Sequence, residues 1–376
     1  MFKAWKFLLA FGLMAEVRGC MGAAIGSTKV VVCQYNSWAP YRTAPGNFTA
    51  SMIDPNLCTH GAYEFASYNP LNDEISHSNL HDLDSEDGKA GGYRQMVELK
   101  LKNPNFKPML GIGGAGAGRD AFTEMAASPT RRAVFTQNVI AFLKLHNFEG
   151  LEFDWVSPVY LETMASFGTL LSEMRVEFDK EGLVLSASLQ AVPYVNTGLD
   201  VISNACHFVV LMTYDYNGPW WLVTANSAPL YGWGYYNVNT SVYEHIKYQV
   251  DPAKIVLSVP AYGRSYTLVD PDSHTLGSKA SAPGAAGPYT RTPGWISFNE
   301  LAEDIENWTT ERDPSSLSPY SYKGDQWVSH DDEISTKAKV EYVNSMGLAG
   351  VAMWSVDEDN FFENFTLLKT INQWLN

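Results

Sequence analysis

Residues 148–158 read FEGLEFDWVSP. Alternate side chains of an extended strand point to opposite faces. Leu151, Phe153 and Trp155 therefore share one face, and Glu152, Asp154 and Val156 share the other. A buried carboxylate without a partner is costly or takes up a proton. Two of them in an otherwise apolar strand are read as a site rather than as packing. Taken alone, the stretch also allows an amphipathic strand whose acids face solvent, because acids are mostly exposed.

Outward from this strand, short β-rich apolar runs recur at 29–35, 58–66, 107–113, 148–154, 183–189, 208–213, 254–260 and 349–354. Segments with helical spacing lie between them, such as 131–146 and 160–181. Eight strands alternating with helices predict an α/β fold, a (β/α)8 TIM barrel, whose active face is the set of loops at the strand C-termini. The interval 265–335 is too long for one helix and is rich in Gly, Pro, Ser and aromatics. It is read as a small α+β subdomain inserted between strands seven and eight. The alternative is a long disordered loop, against which its aromatic content counts.

The opening stretch resembles the signature of glycoside hydrolase family 18, the chitinase family. Glu149, Gly150, Glu152, Asp154, Trp155 and Pro158 fall on its pattern, with Glu149 and Glu152 in place of the more usual Asp and Ser157 in place of Tyr. Val156 stands where the family carries its proton-donating Glu. The other strand ends resemble the family too: Tyr35 and Trp38 in VCQYNSWAPYR, Phe65 in AYEFASY, Met212, Tyr214 and Asp215 in VVLMTYD, Tyr262 and Arg264 in VPAYGRSYTL, and Trp354 in GVAMWSVDEDNF.

The resemblance implies a mechanism and a departure from it. In the family, the Glu protonates the glycosidic oxygen while the N-acetyl oxygen of the substrate attacks the anomeric carbon, oriented by the acid two residues earlier. Asp154 remains to meet the acetamide, but Val156 neither donates nor accepts a proton, so no catalytic residue is assigned. Rescue would need another carboxyl at the same oxygen, either Glu152, one step deeper, or Glu64, which stands where the family commonly has a small residue. The implied substrate-binding set is Tyr35, Phe65, Gly113, Gly114, Asp154, Met212, Tyr214, Asp215, Tyr262, Arg264 and Trp354, with Trp354 as the stacking floor. Met212, Phe65 and Tyr35 also read as plain barrel filling, and Arg264 with Asp215 as a structural ion pair. Ala115, in GIGGAGAG, removes the Trp that the family usually places after its paired glycines. Trp38, Trp295 or Trp327 are the residues that would compensate. The glycines form no phosphate loop, since no Gly-Lys-Ser/Thr follows; their main role is a tight turn.

The rest of the chain sets bounds. Its 376 residues, 45% hydrophobic, suffice for a large single-domain core. A net charge of −15 argues against nucleic acid, whose phosphates demand a basic surface. Lys3 and Lys6 precede a short apolar run and then small residues, the layout of a signal peptide over about 1–24, leaving 25–376 as a secreted, extracellular barrel. No apolar stretch is long enough to span a bilayer. Cys20 leaves with or lies next to the signal; Cys33 and Cys58 then read as a disulfide and Cys206 as a buried free thiol. Sequons stand at Asn47, Asn239, Asn307 and Asn364. No metal-ligand spacing occurs and no cofactor is expected. No Cys-rich chitin-binding module is read after the barrel, so attachment to chitin is expected from the cleft, in a monomer.

These features together predict a secreted chitinase-like lectin that binds chitin or N-acetylglucosamine oligosaccharides without hydrolysing them. The alternatives are a weakly active chitinase using another acid and an extracellular-matrix or signalling protein that has lost sugar binding.

Overall fold

Each apolar run becomes a strand that pairs in parallel with the next along the chain. The computed structural model describes residues 29–118, 120–156, 160–193 and 197–376. The expected signal peptide, Cys20, Ser157 and Pro158 lie outside the described residues. In chain order the barrel strands are β1 (Val30–Asn36), β2 (His60–Asn69), β3 (Lys107–Gly113), β4 (Gly150–Asp154), β5 (Val184–Gln190), β6 (Phe208–Met212), β7 (Ile255–Pro260) and β8 (Gly350–Trp354). β8 pairs with β1 and β1 with β2, so the sheet closes on itself as a (β/α)8 TIM barrel.

Helices cover the outside. The helix Pro129–His146 starts where local chemistry favours it: Pro129 sits in its first turn, and the Ser128 hydroxyl accepts from the Arg131 backbone N–H at 3.4 Å. Helix Leu161–Glu181 ends at Gly182, whose φ of 68° suits glycine. Between helices and strands lies an aromatic layer. Phe153 lies 4.9 Å from Phe122 and 5.2 Å from Phe167 between ring centroids, and Trp155 packs on the same two rings. The apolar face of the opening stretch thus points outward, which leaves Glu152 and Asp154 facing the barrel axis.

Inside the barrel the strands build in layers. Val32, Ala62, Met109, Val184, Val210, Val256 and Ala352 plug the lower end. Two residues further along the same strand faces stand Gln34, Glu64, Gly111, Glu152, Ser186, Met212, Ser258 and Trp354. Polarity therefore rises toward the C-terminal end, where a TIM barrel carries its site. The covalent tie Cys33–Cys58, with 5.9 Å between Cα atoms, joins β1 to the turn before β2. Closing that loop contributes about 3 kcal/mol of stability. Cys206 is free and buried.

The interval after β7 is folded, not a disordered loop. Strand Tyr262–Leu268 starts almost as soon as β7 ends and is central to a six-stranded sheet with antiparallel pairings. Its small core holds Tyr266, Leu268, Ala280, Tyr320 and Trp327. Trp327 is fully buried there and is unable to serve as a cleft platform, contrary to expectation. The return to the barrel is pinned by Lys339 and Asp331, a buried ion pair at 2.6 Å, with the Ser335 hydroxyl donating to the same carboxylate.

Candidate functional site

The strand ends and the inserted sheet enclose a cleft of about 1050 Å³, just above the usual range for small-molecule sites. Phe65, Gly113, Asp154, Met212, Tyr214, Asp215, Tyr262, Arg264 and Trp354 line it together, with Trp38, Ala115 and Val156. Each comes from the end of a barrel strand or the residues just beyond it. Tyr262 and Arg264, on the strand that follows β7, come from the second sheet, as does Trp295 on a strand paired with it.

Two acids rise from the barrel floor on β4. Glu152 is fully buried, and its Oε1 accepts from Gln34 Nε2 at 2.6 Å and from the Ser188 hydroxyl at 2.9 Å. Burial raises it to about 7, against the pull of those two donors. Asp154, two residues nearer the cleft, is also pushed up to about 7, by burial and by Glu152. Its Oδ1 has no hydrogen-bond partner among the described residues. Next on that face comes Val156, whose backbone carbonyl accepts from the Gln190 amide.

The opposite wall is a charged aromatic cluster. Asp215 adopts φ 57°, which for a residue with a side chain costs on the order of 1–3 kcal/mol. Its carboxylate is then held from several sides: the Tyr262 hydroxyl donates at 2.9 Å, Arg264 Nε donates at 2.7 Å, and a second guanidinium nitrogen pairs with Oδ2. Burial alone would lower Arg264, but its bonds to Asp215 outweigh that and hold it raised. The Tyr262 ring stacks on Trp295 at 3.6 Å, and the Arg264 guanidinium lies 4.4 Å from the Trp295 centroid. Trp295 is itself tied by its indole N–H to Glu358 at 3.0 Å. Across the cleft floor, Trp354 stacks on Phe65 at 5.9 Å.

Some expected residues go elsewhere. β1 turns Gln34 inward to Glu152 and Tyr35 outward, where its buried ring packs on Tyr63 and Phe48 and its hydroxyl donates to the Phe48 carbonyl at 3.3 Å. Strand alternation takes Tyr35 out of the pocket expected for it. Gly114, with φ 72°, sits beneath the Phe65 ring, which any Cβ would overlap, and its N–H donates to the Asp154 carbonyl at 2.8 Å. It shapes the turn without lining the cleft. Glu149 lies at the start of the strand and pairs with Lys100, away from the site. Gln190 and Tyr236 do line the cleft and were not anticipated. Gln190 had a signal, because LSASLQ alternates Ser186, Ser188 and Gln190 on one face.

Chemically, the cleft offers an aromatic floor, carboxylates and hydroxyls suited to an amide and to sugar hydroxyls, and an aliphatic group at position 156. Among the described residues no group of acidic, His or Cys side chains is placed to hold a metal ion, and no helix is long and apolar enough to cross a membrane.

The sequence matches the family described as Glycosyl hydrolases family 18 over residues 30–359. Human chitinase-3-like protein 2 is 33% identical over 355 residues, covering 89% of this chain and 88% of its own length. The crystal structure of Ostrinia furnacalis Group IV chitinase aligns with a TM-score of 0.87 at 36% identity, over 93% of this chain and 100% of that one. Human YKL-39, described as a pseudo-chitinase with retained chitooligosaccharide binding properties, aligns with a TM-score of 0.85 at 31% identity, over 92% and 99%.

Proposed function

We propose that this chain, which belongs to the glycosyl hydrolases family 18, is a secreted chitinase-like lectin that binds chitin or N-acetylglucosamine oligosaccharides in the barrel cleft and does not hydrolyse them. The observation that carries the reading is the sequence of groups on one face of β4: Asp154 lines the cleft and the next residue on that face, Val156, has no proton to give. The sugar-facing set around it, Trp354, Tyr214, Asp215, Tyr262 and Arg264, is assembled in one place. Relatives include both a chitinase and a pseudo-chitinase, so family membership alone does not decide between them.

A weakly active chitinase would need a substitute acid. Glu152 and Glu64 are both fully buried and neither lines the cleft, which counts against that reading. A protein without sugar binding is favoured by Ala115, which lines the cleft without offering a ring, and by Ser157 in place of the family's Tyr. The test is calorimetric titration of the purified protein with N-acetylglucosamine oligomers, followed by product analysis of the same mixture. Saturable binding with intact oligomers is the expected result; absence of binding would remove the lectin reading, and release of shorter sugars would remove the inactive one.

Secretion and glycosylation belong to the same proposal. Asn47, Asn307 and Asn364 are exposed, while Asn239 is half-buried and its Oδ1 accepts from the Tyr342 hydroxyl at 3.2 Å. The Cys33–Cys58 bridge fits an oxidising compartment. Protein collected from the medium of a eukaryotic host is expected to lose mass on enzymatic deglycosylation, with Asn239 the least modified; an unchanged mass would count against glycan at all four.

A further inference from the structure

We propose that Glu64 is a positioning residue of this cleft: its carboxyl donates a proton into the Glu152/Asp154 pair, fixes the state in which Asp154 meets a ligand amide, and makes ligand affinity pH-dependent. The inference rests on the reading of the cleft as a sugar site and concerns how that site is regulated.

The placement comes first. Glu64 lies on β2, two residues beyond Ala62 of the apolar plug, and is fully buried. A Cβ on Gly111 would overlap the Glu64 carboxyl, so the missing side chain at Gly111 is what makes room for it. Gly111 is the register partner of Glu152 on the neighbouring strand. The carboxyl of Glu64 is therefore laid across β3 toward the acids of β4.

The hydrogen bonds do not balance without a proton there. Both Glu64 oxygens, Glu152 Oε2, Asp154 Oδ1 and Gln34 Oε1 are buried with no partner among the described residues. All are acceptors. The donors bonded to the group, Gln34 Nε2 and the Ser188 hydroxyl, are both spent on Glu152 Oε1, and the Ser258 hydroxyl of the same layer bonds to none of these oxygens. The titratable groups that face the three carboxyls across the barrel are one another, from β2 and β4, and Tyr214 beyond β6; among the described residues no Lys, Arg or His contributes to the field at any of the three.

Three buried acids without a counter-cation do not all ionise, and the group titrates as a unit. A carboxyl that keeps its proton becomes a donor. Burial, then Glu152 and Asp154, hold Glu64 well above the usual carboxylate range, whereas Glu152 and Asp154 are raised to about 7. With neither oxygen bonded and both other acids facing it, Glu64 is the member assigned the proton, donated to Glu152 Oε2 or Asp154 Oδ1. Its bond favours the charged form of the acceptor, which in turn is the better acceptor for a ligand N–H. As pH falls through about 7, Asp154 becomes protonated and affinity declines.

Glu64→Met keeps the length and removes the donor; Glu64→Gln keeps a donor. Titration with N-acetylglucosamine tetramer from acid to mildly alkaline pH is expected to show a loss of about tenfold at neutral pH in Glu64→Met, the worth of one bond to a charged group. Its binding midpoint moves to higher pH, and Glu64→Gln recovers most of both. Infrared difference spectra, wild type minus Glu64→Gln, are expected to show a protonated carboxyl at neutral pH, and Glu64→Met to shift the ionisation of the remaining acids upward without any ligand. Equal affinity and equal midpoints in wild type and Glu64→Met overturn the proposal, as does the absence of that protonated carboxyl. Should the wild type bind no oligomer, the sugar reading is what fails, and an unchanged ligand-free ionisation in Glu64→Met then decides against Glu64 separately.

Discussion

Val156→Glu is expected to convert a protein that leaves N-acetylglucosamine oligomers intact into one that cleaves them. The substitution places a carboxyl on the same strand face as Asp154, about 6–7 Å further along the backbone. The surroundings tolerate it, since the position is half-buried at the cleft and its carbonyl is already pinned by the Gln190 amide. A general acid contributes a factor of about 10² to 10⁴ to the rate, or roughly 3–5 kcal/mol of barrier. The gain is therefore large against a background that lacks it.

The activity created has a predictable pH dependence. The introduced acid works only while protonated, so turnover falls as pH rises through its ionisation. Asp154, already raised to about 7 by burial and Glu152, gains a further like charge nearby and holds its proton to higher pH. Measurement of product release by wild type and variant across pH checks both points. If the variant folds and binds oligomer yet releases nothing, the cleft lacks more than its acid; if the wild type itself cleaves after removal of contaminating enzymes, the inactive reading is wrong.

Much of the barrel could be read from the chain because alternating apolar strands and amphipathic helices leave a periodic trace. The opening stretch even gave the right phase, since acids and aromatics alternate there and only one assignment buries the aromatics against helices. VVVCQYN gave no such trace: its residues are buried on both faces, and only the pairing of Gln34 with Glu152 shows which side of β1 looks inward. The family resemblance places Tyr35 in the pocket, and the strand itself carries no alternation to say otherwise. Trp295 and Trp327 look alike in sequence, both in short runs between turns. What separates them is sheet geometry, with Trp295 stacked on Tyr262 at the cleft and Trp327 buried between Tyr266 and Tyr320. The Glu64–Gly111 fit is the least legible part, because it joins residues 47 positions apart (111 − 64) through a side chain that is absent.

Trp354→Ala is expected to weaken binding of N-acetylglucosamine oligomers more than any other single truncation in the cleft while leaving the fold intact. Trp354 ends β8, in register with Gln34 of β1 and Pro260 of β7, and its carbonyl accepts from the Ala261 N–H at 2.7 Å. Those bonds are to the backbone, so truncation leaves them in place. The side chain is half-buried, backed on one side by Phe65. A sugar ring covering about 100 Å² of indole face contributes roughly 2.5 kcal/mol at ~25 cal/mol/Å². That corresponds to about a 60-fold loss of affinity at ~1.4 kcal/mol per factor of ten. Loss of Arg264 or Asp215 acts on more than the ligand, because either leaves a half-buried charged partner uncompensated and disturbs Tyr262 and Trp295 as well. The aromatic floor has no such dependents. Calorimetry on Trp354→Ala, beside its thermal unfolding curve, therefore reads the floor alone: a variant as stable as wild type and as tight would place the ligand somewhere other than over β8.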